Sequence, residues 1–108
     1  KLWKRLTSTD IKEKNMLEKE LEFKLVNAVK NKKGLCLKLM CPGFYGMPDR
    51  IILLPHFKMG FVEVKAPGKK PRELQIVRHR QLRKLGFKVF VLDDKNQIGE
   101  ILNAIQTT

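Results

Sequence analysis

Four residues carry types and spacings that can do chemistry together: Glu22, Asp49, Glu63 and Lys65. In the run Phe61-Val62-Glu63-Val64-Lys65 a period of two places Phe61, Glu63 and Lys65 on one strand face, with Val62 and Val64 on the other. An acid and a lysine two apart in an otherwise buried type of strand are either a structural ion pair or a metal ligand beside a general cation. Asp49 precedes Glu63 by fourteen residues and follows Gly46-Met47-Pro48, at the mouth of the strand expected to pair with that of Glu63. If Glu22 joins them, three carboxylates converge at one end of the sheet. Oxygen-only ligands of that kind suit Mg²⁺ or Mn²⁺, which keep several waters and bridge to a phosphate. A cation held there beside a scissile phosphate, with Lys65 orienting the attacking water or offsetting charge, makes a phosphodiesterase site.

Glu22 earns its place from a helical wheel. At about 100° per residue, Leu17, Leu21, Leu25, Val26, Ala28 and Val29 fill one half of the first helix. Glu18 and Glu22 fall inside that arc, where a charge is costly unless it is paired or bound to metal. Glu18 has a structural task, since Asn15-Met16-Leu17-Glu18 is a capping-box pattern. Glu22 has none; it is either a third ligand or a helix-edge acid paired with a lysine.

These acids sit in a strongly basic chain. Its 108 residues hold 23 Lys and Arg against 11 Asp and Glu, a formal net charge of +12. Such a balance favours a polyanionic partner, because each cation laid on a phosphate releases condensed counterions. Concentrated carboxylates in a nucleic-acid-binding protein make sense when a divalent cation neutralises them. Hydrophobic residues make up 43% of the chain, enough for a core. No apolar run is longer than that of Ile51-Ile52-Leu53-Leu54, which excludes a membrane-spanning helix or a secretory segment in this sequence. No basic amphipathic helix of the membrane-surface kind is present, so nucleic acid rather than membrane is the expected partner. Cys36 and Cys41 lack paired spacing and are read as reduced thiols of a cytoplasmic protein.

Positioning the acids requires an ordered set of elements. An N-terminal arm over 1–14, carrying Trp3, precedes a single domain over 15–108. A helix capped by Asn15 runs to about residue 33 and stops at Gly34. Strands follow at 35–40, 49–54 and 61–65, then a helix at 71–85, a strand at 87–92 and a last helix at 95–105. The fold class is α/β: three strands in an antiparallel meander, and a fourth that returns in parallel after a helix. His56, in a turn, and His79, on a basic helix, lack metal-ligand spacing and are read as contacts to solvent or phosphate. Phe44 and Tyr45 cover the core edge, with base stacking as the alternative.

The run Gly46-Met47-Pro48-Asp49-Arg50-Ile51, then Phe61-Val62-Glu63-Val64-Lys65-Ala66-Pro67-Gly68, then Leu74-Gln75, resembles the VRR-Nuc branch of the PD-(D/E)xK nuclease superfamily. The similarity continues through Leu82-Arg83-Lys84-Leu85-Gly86-Phe87 and covers about residues 18–93. It implies a restriction-endonuclease-like core of αβββαβ topology, a mixed sheet flanked by helices. By the same resemblance Asp49 and Glu63 are metal ligands, joined by the Val64 carbonyl, and Lys65 is the catalytic lysine. Glu22 matches the first-helix acid, with Glu18 as the alternative, and Gln75 matches a glutamine near the site. Lys69, Lys70, Arg72 and Arg78 are the expected contacts to nucleic acid. Stand-alone members of this size resemble resolvases that act as homodimers on four-way (Holliday) junction DNA, in bacterial or phage-infected cells. The other readings are a non-catalytic nucleic-acid-binding module on a nuclease fold, or a flap or branched-DNA nuclease subunit of a larger machine.

Overall fold

The computed structural model describes residues 7–108. A 24-residue helix, α1 (Ser8–Asn31), leads into β1 (Leu35–Lys38), β2 (Arg50–Leu54) and β3 (Lys58–Val64). Helix α2 (Glu73–Lys84) precedes β4 (Val89–Leu92), and a 3₁₀ turn at Lys95–Gln97 opens α3 (Ile98–Gln106). The sheet order is β1-β2-β3-β4, with the first three strands antiparallel and β4 parallel to β3. Meander and crossover are therefore as the sequence predicts, and the architecture is the restriction-endonuclease-like α/β fold.

The helix start corrects the sequence reading. α1 begins at Ser8, so Asn15 lies inside the helix and residues 8–14 belong to it rather than to an arm. Thr7-Ser8-Thr9-Asp10 carries the same spacing of a capping side chain and an acid three residues on as Asn15 to Glu18, and the earlier of the two start signals prevails. The expectation for Trp3 lies outside the described residues.

The two faces of the sheet differ in what covers them. Leu21, Leu25 and Val29 of α1 and Ile98, Ile101, Leu102 and Ile105 of α3 pack on Ile52, Leu54, Val62, Val64 and Leu92. This is the main core, and each helix contributes one stripe to it. The opposite face carries a smaller cluster of Phe61, Leu82 and Val89, bordered by Ile51 and Met59. Near this second cluster lie the buried polar residues Glu63, Lys65 and His79. Among the described residues no helix is long and apolar enough to cross a membrane.

Candidate active site

Asp49 stands where β2 begins. The last rung between β2 and β3 is Arg50 opposite Val62, so Asp49 and Glu63 come next on their respective chains. The Val64 N–H is taken by the Asp49 side chain, with Oδ2 accepting at 2.8 Å. The Asp49 carbonyl accepts the Leu39 N–H at 2.8 Å from the chain leaving β1. Asp49 is thus tied to both neighbouring strands, and Pro48 before it is fully buried. The loop leading in is seated on α2. Gly46 has φ +92°, and a Cβ there would meet the Leu74 side chain and carbonyl at 2.9 Å. A side chain at this position would be strained by its backbone angle and blocked by the helix.

Glu63 is 1% exposed, so its carboxylate depends on what surrounds it. Oε2 accepts Gln75 Nε2 at 2.9 Å and lies 3.5 Å from Lys65 Nζ. Oε1 has no hydrogen-bond partner and faces His79 Nε2 across 3.9 Å, an atom that also has none. Burial, then the neighbouring Asp49 charge, raise the Glu63 pKa from 4.5 to about 7, against the opposing pull of Lys65. The fold therefore concentrates two acids at a cost in charge repulsion and leaves one buried oxygen without a donor. An all-oxygen donor set with an unsatisfied anionic atom fits a hard divalent cation, and Asp49 and Glu63 are the side chains that would hold it.

Helix α2 supplies the groups that orient Glu63. Gln75 Oε1 accepts the Arg72 N–H at 2.8 Å, so its amide closes the helix N-terminus and presents Nε2 to Glu63. One turn further, His79 is 2% exposed and lies against the same carboxylate. The sequence reading of His79 as a solvent or phosphate contact is corrected by this burial. The spacing Gln75, His79, Leu82 at i, i+4 and i+7 marks one helix face and was the available signal. Burial, with Arg83 and Lys65 nearby, lowers the His79 pKa and favours the neutral imidazole.

The structure does not bring Glu22 to this pair. Its Oε2 accepts Arg50 Nε at 3.1 Å and Nη2 at 3.0 Å. Among the described residues no group of three His, Cys, Asp or Glu side chains is placed to hold a metal. One Glu22 oxygen is thus paired, with arginine rather than lysine as the partner.

The basic residues divide into two kinds. Lys69, Lys70 and Arg72 are exposed in the loop that joins β3 to α2, next to the Gln75 cap. Arg78 is committed to the loop before Asp49. Its Nε donates to the Tyr45 carbonyl at 2.8 Å, Nη1 donates to Gln81 at 3.0 Å, and the guanidinium lies 3.8 Å over the Phe44 ring. Arg78 thus clamps residues 44–45, and Phe44 is its platform.

No family model matches the chain. "Putative nuclease p44" of Acyrthosiphon pisum secondary endosymbiont phage 1 is 42% identical over 88 residues, 82% of this chain and 94% of that protein. A solved structure of a "VRR_NUC domain" aligns with a TM-score of 0.75 at 30% identity, over 80% of this chain and 94% of that one.

Proposed function

The chain belongs to the VRR-Nuc family, and from that premise we propose that it is a divalent-cation-dependent DNA endonuclease that resolves four-way junctions as a homodimer. The observation that carries the reading is the buried Glu63 carboxylate beside Asp49, with one oxygen unsatisfied and Lys65 within 3.5 Å of the other. A pair of acids held this way in a chain of net charge +12 opposes nucleic-acid binding until a cation neutralises it. When bound, Mg²⁺ or Mn²⁺ supplies a Lewis acid beside the scissile phosphate.

The protein's own groups do the rest. Asp49 and Glu63 bind the cation, with the Val64 carbonyl as the expected main-chain ligand. Gln75 holds Glu63 in one orientation from the cap of α2. Lys65, 6% exposed, presents a fixed positive charge that orients a water or offsets charge gathering on the phosphate. Lys69, Lys70 and Arg72 attract the phosphate backbone, which gives affinity for shape rather than base sequence. Two symmetric cuts in one junction need two sites in fixed relation, which a two-fold dimer supplies.

The test is a panel of labelled four-way junction, flap, splayed arm, duplex and single strand, with Mg²⁺, Mn²⁺ or EDTA. Paired symmetric cuts on the junction, abolished by EDTA, are expected. Cuts confined to flaps or arms would keep the nuclease and discard the resolvase. Retarded bands without product under any metal would instead leave a binding module.

A further inference from the structure

We infer that Tyr45 is a base-binding residue, whose exposed ring stacks on a nucleobase left unstacked at a branch of the bound DNA. The inference deepens the nuclease reading above and rests on it for the nature of the ligand.

The ten residues from Leu39 to Pro48 carry no charged side chain, in a chain of which 31% is charged. Such a segment holds no phosphate by charge, and its exposed side chains, Met40, Phe44 and Tyr45, are large and mainly apolar. The two aromatic rings are used differently. Arg78 covers Phe44, its guanidinium 3.8 Å from the ring centre, so that face is taken. Tyr45, the one tyrosine of the chain, is 71% exposed. Among the described residues its ring has no aromatic, cationic or hydrogen-bonding partner. Its carbonyl is the group engaged, by Arg78 Nε at 2.8 Å.

A lone exposed aromatic needs no explanation by itself. Tyr45 is set apart by how firmly its backbone is held. Arg78 fixes its carbonyl, and the Phe44 N–H donates to the Cys41 carbonyl at 3.0 Å. On the other side Gly46 seats the chain against Leu74, and Pro48 is buried. A ring held out from a fixed backbone loses little conformational freedom when it binds.

The position of the ring suits a DNA strand with phosphates on one side and the reacting bond on the other. Asp49 follows four residues on, so the two backbones are at most about 14 Å apart. That is about four base steps of a stacked strand. Gly46 lies against Leu74 in the first turn of α2, and the exposed Lys69, Lys70 and Arg72 lead into that turn. Those cations draw in the phosphate backbone, and the uncharged ring meets a base. Every base has a π face, so stacking takes an unstacked base without reading sequence. Inside continuous duplex the neighbouring pairs cover both faces of each base, and Tyr45 finds no platform. The ring thereby favours branched over continuous DNA.

The experiment uses the full chain in Ca²⁺, as native protein, Tyr45→Ala and Tyr45→Phe. A four-way junction and a duplex of matched sequence carry 5-iodouracil within about four steps of the branch position. Near-ultraviolet light joins that base to an aromatic ring stacked on it, and peptide mass spectrometry locates the bond. A crosslink at residue 45 is expected on the junction, kept in Tyr45→Phe and lost in Tyr45→Ala. Anisotropy should show about a tenfold loss of junction affinity in Tyr45→Ala and a change within about twofold in Tyr45→Phe. Duplex affinity and melting temperature should stay at native values in both.

Crosslinks at other residues alone, or equal losses on junction and duplex, would overturn the inference. A shift from dimer to monomer in Tyr45→Ala by sedimentation would also overturn it, placing the ring between two copies of the chain. Cleavage in Mg²⁺ scores the nuclease reading separately. A native chain that crosslinks through Tyr45 but cuts no DNA would discard the nuclease and keep the base contact. Native junction affinity and cleavage in Tyr45→Ala would keep the nuclease and discard the base contact.

Discussion

The Asp49 carboxylate accepts the Val64 N–H at 2.8 Å, closing the ladder where the rungs between β2 and β3 have ended. Asp49 therefore has a structural bond and an electrostatic liability in the same group, because its charge adds to burial in raising the pKa of Glu63. Asparagine keeps an oxygen for Val64 and removes the charge. Metal-free Asp49→Asn is expected to melt at the native temperature or above it. Asp49→Ala, which leaves the N–H unsatisfied, is expected to lose about 1–2 kcal/mol. Differential scanning calorimetry in EDTA separates them, and equal destabilisation by both would speak against the charge repulsion.

Glu63 gives the pH dependence its sign. Its pKa is raised to about 7 in the fold, so its contribution to stability is full below about 4.5 and is lost as pH rises through about 7. His79, lowered by burial, works the other way, and its contribution is lost as pH falls below 6.5. Between pH 6.5 and 8 the Glu63 effect is the one left, and metal-free protein should melt lower at the upper end. If Glu63 holds the proposed cation, binding must displace its proton. Calorimetry in buffers of different ionisation heat should show close to one proton released per cation near pH 6 and almost none above pH 8. A release that does not change with pH would remove Glu63 from the ligand set.

Gln75 joins a helix cap to the Glu63 carboxylate. Gln75→Ala removes the acceptor of the Arg72 N–H and the donor to Glu63, at a cost of about 1–2 kcal/mol. Its effect on cleavage should be about 10- to 100-fold, as for other supports of metal ligands. The diagnostic readout is the pH–rate profile. Loss of a donor to the carboxylate moves the rising limb to higher pH, whereas a Gln75 that served only as a cap would leave that limb in place.

Arg78 and the Lys69–Lys70 pair should separate in their effects on DNA. Arg78→Ala loosens residues 44–45 and is expected to cost about 1–2 kcal/mol of stability, with loss of the hydrogen bond and the ring contact. Its salt dependence of binding should be unchanged. Lys69→Gln and Lys70→Gln should each lower the slope of log affinity against log salt by about one, with no change in melting. Fluorescence anisotropy across a salt series reads both slopes, and a reduced slope for Arg78→Ala would restore it as a phosphate contact.

Much of this architecture was legible before the fold. The alternation in Phe61 to Lys65 placed Glu63 and Lys65 on one face, and Pro48 marked the strand that brings Asp49 beside them. Gln75 also lies where the family resemblance put it. What the sequence hid depends on tertiary contacts between distant elements. The partner of Glu22 is Arg50, twenty-eight residues away, and no local pattern distinguishes that pairing from a third ligand. Arg78 looks like any other basic helix residue until Tyr45 and Phe44 are folded beneath it. His79 was missed because a histidine among arginines suggests solvent, although its spacing from Gln75 placed it on the buried face. The start of α1 was misplaced because two capping patterns compete in one stretch, and local chemistry does not rank them.

The central claim is that Asp49 serves catalysis through a cation and not through binding of DNA. The direct measurement sets cleavage of a labelled four-way junction in Mg²⁺ beside its affinity in Ca²⁺, for the native chain and Asp49→Asn. Affinity within about threefold of native, with cleavage reduced by about 10³-fold or more, is the expected result. Cleavage at the native rate by Asp49→Asn, or a parallel loss of affinity and cleavage, would contradict the account.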